Sequence, residues 1–227
     1  MHDKNFYLEK IGKRGKIAIW LVDGIKIRRD LEKEFTNFGQ HFRFPVIPEY
    51  EFWIDREAVP NEQRFFIDHL LVEWRLMKQG RLYAEAIESA AKKELSERKK
   101  AGDFEKIMDA NGVPAVAKIH CQLLKKVENK IFVWLVYGRL VRSVFDVNFT
   151  EGGHDLVYNY VPKNEVWLDN DALDEERIYI LLHELYERSL MERGLVYPEA
   201  HKKASELEWQ ARQSEEKLRD SLAKIRY

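Results

Sequence analysis

The chain has almost no cysteine. Cys121 stands alone among 227 residues, so no internal disulfide can form and no CxxC zinc framework exists. Long apolar runs are missing as well, and none approaches the ~20 residues that span a bilayer. An excess of one charge is also lacking. With 38 Lys and Arg against 39 Asp and Glu the formal net charge is −1, which removes any general electrostatic case for nucleic acid or an anionic membrane as partner. The opening stretch MHDKNFYLEKIGKRGK is charged from the start and has no apolar centre of the signal-peptide kind. These absences leave a reducing cytoplasm as the expected compartment. What is present, 45% apolar and 34% charged residues, fits a globular protein with a heavily charged helical surface.

The chain repeats itself. Shifted by 114 positions, IAIWLVDG at 17–24 falls on IFVWLVYG at 131–138, EFWID at 51–55 on EVWLD, and LMKQGRLYAEA at 76–86 on LMERGLVYPEA. Residues 17–94 match 131–208 at 26 of 78 positions without a gap, and the matches gather at Trp, Gly, Pro and helix-face residues. Two copies of one fold follow, with domains expected at 1–111 and 112–227. Each copy reads as an α+β unit, a small antiparallel sheet followed by two helices. In the second copy the Val-, Ile-, Phe- and Tyr-rich runs predict strands near 131–137, 140–147, 155–161 and 164–168. The acid-rich DNDALDEER precedes a helix over about 176–192, stopped by Gly194. A further helix starts near Pro198 and continues toward Tyr227. An internal pair of copies points to a monomer with pseudo-two-fold symmetry.

Within the second copy the stretch HELYE brings chemistry. His183 and Glu187 are four residues apart and share a helix face, so an imidazole and a carboxylate can reach one ion. Glu184 lies about 100° round the helix, beside the ion but off the ligand axis, as a base acting on bound water must. His201, on the first turn of the next helix, supplies a third ligand. One zinc per chain held by His183, Glu187 and His201 leaves a fourth position open for water, with Glu184 shuttling the proton. His154, with the strand tyrosines Tyr158 and Tyr160, is expected to line the cleft and stabilise an oxyanion. The matched positions of the first copy read His69, Leu70, Glu73 and Ile87, with Gln40 opposite His154. That predicts an active second copy and a degenerate first copy kept for packing. The retained His69–Glu73 pair also admits a purely structural reading. Glu165 or Glu208 could complete a closed coordination sphere, and His120 and Cys121 read as packing residues.

The second copy resembles a minimal zincin metallopeptidase of the ImmA/IrrE type. The resemblance covers roughly 164–208: NEVWLDNDALDEERIYILLHELYER is similar to the family's edge strand, loop and HExxH helix, and PEAHKKASELE to its following helix. It implies His183 and Glu187 as the first two ligands, Glu184 as general base and His201 as third ligand, with a protein or peptide as substrate. Two departures stand out. Glu187 replaces the usual second histidine, and His201 stands where the family often places a carboxylate. The expected function is a zinc-dependent, peptidase-like hydrolase active only in the second copy. The alternative is a non-catalytic protein-interaction module built from a duplicated domain, with a structural metal or none.

Overall fold

A computed structural model describes residues 5–127 and 130–225. The chain divides into two compact units. One comprises Met1–Pro114 with Arg142–Asn148, the other Ala115–Val141 with Phe149–Tyr227. In chain order the first copy runs β1 (Tyr7–Arg14), β2 (Ile17–Val22), α1 (Gly24–Asp30), β3 (Phe38–Gln40), β4 (Glu51–Asp55), α2 (Pro60–Lys78) and α3 (Tyr83–Lys100). After α4 (Asp103–Ile107) the second copy follows as β5 (His120–Val127), β6 (Ile131–Val136), α5 (Gly138–Val144), β7 (Gly152–His154), β8 (Glu165–Asp169), α6 (Asp174–Glu192) and α7 (Tyr197–Ala211). A short α8 (Glu215–Lys224) ends the described chain. The fold is α+β, two four-stranded sheets each followed by helices, and the order β1-β2-β4-β3 recurs as β5-β6-β8-β7. No helix among the described residues is long and apolar enough to cross a membrane.

The repeat reaches further than the sequence match. Tyr7 pairs with Val22 in the first sheet and His120 with Val136 in the second, and both outer strands carry register shifts at the same two places. Tyr7 and His120 are 113 apart, so a one-residue difference hides the relation. Both do the same work. The Tyr7 hydroxyl donates to Glu51 at 2.6 Å, and His120 Nε2 lies 2.9 Å from Glu165.

The sheets are mixed. Outer strands run antiparallel, but the central pairs β2–β4 and β6–β8 are parallel. Parallel neighbours need a crossover, and α1 and α5 lie within it. Residues 140–147 therefore begin as helix α5 rather than as the predicted strand. At the head of each crossover helix a glycine lets a carboxylate approach its backbone: a Cβ on Gly24 would meet Asp55 Oδ2 at 1.7 Å, and one on Gly138 would meet Asp169 Oδ2 at 2.0 Å. In the first copy the Gly24 amide donates to Asp55 at 3.3 Å. Residues 155–161, also predicted as a strand, form a loop. Their apolar alternation reflects rings folding back, as Tyr158 does onto Gly153.

The helices α2 and α6 close the sheets through apolar faces. In the second copy Ile180, Leu181 and Leu185 pack on Val133, Leu135, Val166 and Leu168. In the first, Phe66, Ile67 and Leu70 pack on Ile17, Ile19, Phe52 and Ile54. Gly194, at φ 95°, ends α6: its amide donates to the Met191 carbonyl and that of Leu195 to the Leu190 carbonyl, both at about 3 Å. The second long helix is shorter than predicted. It stops at Ala211, and Ser214 caps α8, accepting a hydrogen bond from the Lys217 amide.

Gly138→Ala should therefore lower stability by about 1–3 kcal/mol, the cost of overpacking. Gly12→Ala, whose Cβ meets only Ile19 Cδ1 at 3.9 Å, should change it by less than about 1 kcal/mol. Urea unfolding of the two variants checks both.

Candidate metal centre

Each copy contains a chain of buried charges that starts at the first turn of its long helix and ends at its short edge strand, β3 or β7. In the second copy Arg212 donates to both Glu176 oxygens at 2.7 Å and to Glu208 Oε1 at 2.7 and 3.0 Å. The other oxygen of Glu208 lies 2.8 Å from His183 Nδ1. In the first copy Arg98 joins Glu62 at 2.5 Å to Glu94 at 2.8 Å, and Glu94 holds His69 Nδ1 at 2.7 Å. Arg142, in the same unit as Glu62, adds a second guanidinium to that carboxylate. A buried ion is tolerated only when paired, so each link requires the next.

This chain decides the tautomer of the histidine. A carboxylate accepts only, so Nδ1 of His183 carries a proton toward Glu208, and Nε2 on the opposite side is the nitrogen that the neutral ring would turn to a cation. A histidine whose second nitrogen is held by a carboxylate is the usual arrangement behind a metal ligand. His183 Nε2 faces His201 Nδ1 at 3.2 Å and Glu187 Oε2 at 3.5 Å, and His201 Nδ1 lies 2.8 Å from Glu187 Oε2. Tetrahedral zinc with ligands at ~2.0–2.2 Å implies separations of roughly 3.3–3.5 Å between ligand atoms. One of the three distances falls in that range, a second lies just short of it, and the third is that of a hydrogen bond. The donors are one carboxylate and two imidazoles, a set zinc accepts. The structure thus brings together the three residues expected as ligands, and with His201 38% exposed the group is open on one side.

The other site residues fall around this group. Glu184 packs its side chain against the backbone of β7, where a Cβ on Gly152 would meet Glu184 Oε1 at 2.9 Å. It shares ligand-range proximity with Glu187 and His154. His154 is buried, with Nε2 3.0 Å from Glu187 Oε1, so it faces a carboxylate inside the cluster rather than an open cleft. Glu208 touches His183 on its rear nitrogen, and Glu165 is tied to Trp167 and His120, so neither joins the ligand group. His120 stacks on Trp134 at 4.2 Å.

The electrostatics follow from burial against pairing. Burial works against a charged His183, but hydrogen bonds to Glu187 and Glu208 overcome it and hold its pKa well above the ordinary value. Burial likewise opposes ionised Glu187, yet three histidines around it hold its carboxyl far below the usual range. Burial also opposes the Glu208 charge, and His183 with Arg212 brings its pKa down to about 2. For Glu184 burial prevails over the nearby charges of His183 and His154 and pushes it up to about 7.

The first copy shows the frame with its ligand set cut down. His69 Nε2 lies 3.5 Å from Glu73, Gln40 Nε2 donates to Glu73 at 2.5 Å, and Leu70 joins the apolar core. Arg98 and Arg212, the links that sequence reading missed, are themselves 114 apart, just beyond the end of the matched window. No protein-family model matches the chain, and neither does any curated protein or solved structure.

Two predictions concern these ladders. Arg212→Ala leaves Glu176 short of its bidentate partner and should cost about 3–5 kcal/mol. Lys92→Ala, in an exposed pair with Glu88, should cost no more than about 0.5 kcal/mol, and chemical denaturation compares the two. For His69, burial opposes the charge while Glu73 and Glu94 outweigh it, so its folded pKa is raised. Its stabilising contribution is complete below the unfolded value of about 6.5 and is lost as pH climbs through the higher folded value. The stability gap between wild type and His69→Gln should therefore narrow as pH is raised from about 6 to about 9, measured by urea midpoints at each pH.

Proposed function

We propose that the chain is a zinc-dependent hydrolase acting on peptide or amide bonds, with one site, in the second copy. The supporting observation is the convergence of His183 Nε2, Glu187 Oε2 and His201 Nδ1 within 3.5 Å of one another, with His183 braced from behind by Glu208. Zinc bound there supplies Lewis acidity toward water and toward a carbonyl oxygen. Glu184, one residue from a ligand and packed on Gly152, takes the proton of the attacking water and delivers it to the departing amine nitrogen as the carbon–nitrogen bond breaks. His201, on the exposed side, marks where substrate enters. The zincin resemblance of 164–208 accords with this assignment.

A second reading has its own support. The first copy completes the same charge ladder with a glutamine in place of His154 and an isoleucine in place of His201. On that reading the His–Glu pair serves the fold, and the duplicated frame is a protein-interaction module.

Elemental analysis of protein purified without chelators separates the two. About one zinc per chain, lost in His201→Ala, is the expected result. Glu184→Gln should keep the metal and lower turnover of a cleaved peptide by about 10²–10⁴. Absence of zinc even after it is supplied would sink the hydrolase and leave the module.

A further inference from the structure

Gln40 and His154 occupy matched positions and make the same two hydrogen bonds with different chemistry. The Phe42 amide donates to Gln40 Oε1 at 2.8 Å, and Gln40 Nε2 donates to Glu73 Oε1 at 2.5 Å. The Leu156 amide donates to His154 Nδ1 at 3.2 Å, and His154 Nε2 lies 3.0 Å from Glu187 Oε1. In both copies the backbone two residues on donates inward, and the side chain hands a contact to the same oxygen of the same glutamate.

The backbone amide settles the imidazole's state. An N–H can only donate, so Nδ1 must present its lone pair to it, and the ring proton resides on Nε2. Nε2 is then a donor, as the glutamine amide is, with no lone pair for a cation. His183 is backed the opposite way: its Nδ1 proton goes to Glu208, so Nε2, which faces His201 and Glu187, is the nitrogen that can serve a cation. Two histidines beside one carboxylate are thereby sorted by what lies behind each of them.

We infer that His154 is a positioning residue, not a metal ligand: it donates to Glu187 Oε1 and so turns Oε2 toward His183 and His201. This holds although His154, Glu184 and Glu187 also form a ligand-sized cluster. The inference rests on the zinc reading for its consequence, since a carboxylate held by one oxygen presents the other to the ion. Glutamine satisfies the same geometry, as the first copy demonstrates at Gln40, whereas an apolar side chain does not.

Two measurements test it. In ¹⁵N-histidine-labelled protein, ring nitrogen–proton correlations are recorded without metal and after one equivalent of zinc chloride. His154 should show a protonated Nε2 and an unprotonated Nδ1 in both states. Zinc affinity, read by competition with a chromophoric chelator, should stay within about threefold of wild type in His154→Gln and fall about 10–100-fold in His154→Leu. Transfer of the His154 proton to Nδ1 on adding zinc overturns the inference, as does a His154→Gln variant that loses zinc as fully as His154→Leu. If wild type takes up no zinc, the hydrolase reading fails while the metal-free tautomer still decides the role of His154: a proton on Nε2 supports it and one on Nδ1 refutes it. Should His154→Leu not fold, the tautomer and His154→Gln carry the test.

Discussion

A carboxylate taken out of water must have a partner, and that requirement organises both copies. Glu176 needs Arg212, Arg212 holds Glu208, Glu208 orients His183, and His183 faces Glu187. The same sequence of obligations runs from Glu62 through Arg98 and Glu94 to His69 and Glu73. Because the links Glu176–Arg212 and Glu208–His183, like Glu62–Arg98 and Glu94–His69, cross from one helix to the next, the ladder holds the long helix against the one that follows. Breaking any link strands a buried ion, a penalty far larger than the net worth of the pair.

The ladder also shows where the two copies diverge. At its end a histidine Nε2 faces a carboxylate oxygen at 3.5 Å in both copies. A ring nitrogen and a carboxylate oxygen at that distance call for a positive charge between them. In the first copy a proton fills that role, which is why the His69 pKa is raised against the pull of burial. In the second copy the His183 pKa is raised in the same way, and His201 brings a further nitrogen to the same point. Three replacements separate the copies here: Leu70 for Glu184, Ile87 for His201 and Gln40 for His154. The first is apolar and joins the core, the second removes a donor, and the third preserves a hydrogen bond.

Much of this was legible before folding. The duplication showed because Trp53 and Trp167, Gly24 and Gly138, and Asp55 and Asp169 occupy positions where packing tolerates little else. The helix carrying His183, Glu184 and Glu187 showed because its apolar face repeats at helical spacing, and His201 followed from the glycine turn at Gly194. The relation between Tyr7 and His120 was hidden, since a tyrosine hydroxyl and an imidazole nitrogen reach the same glutamate with no identity between them. Strands predicted over 140–147 and 155–161 failed for a shared reason. Apolar residues there pack as a crossover helix and a folded loop, and local alternation does not distinguish these from a ladder.

By itself the sequence determined the repeat, the α+β class and the face of α6 on which an imidazole and a carboxylate coincide. These depend on local spacing and on matches along one chain. Tertiary structure alone decided that the central strands run parallel, that Arg212 closes the ladder, and that His154 and His183, which both turn Nε2 toward Glu187, are backed at Nδ1 by opposite kinds of partner. Each of those depends on groups distant in the chain, above all on a backbone amide at Leu156 and a carboxylate at Glu208. A histidine's letter is the same in either tautomer, and only its neighbours in space choose which nitrogen holds the proton.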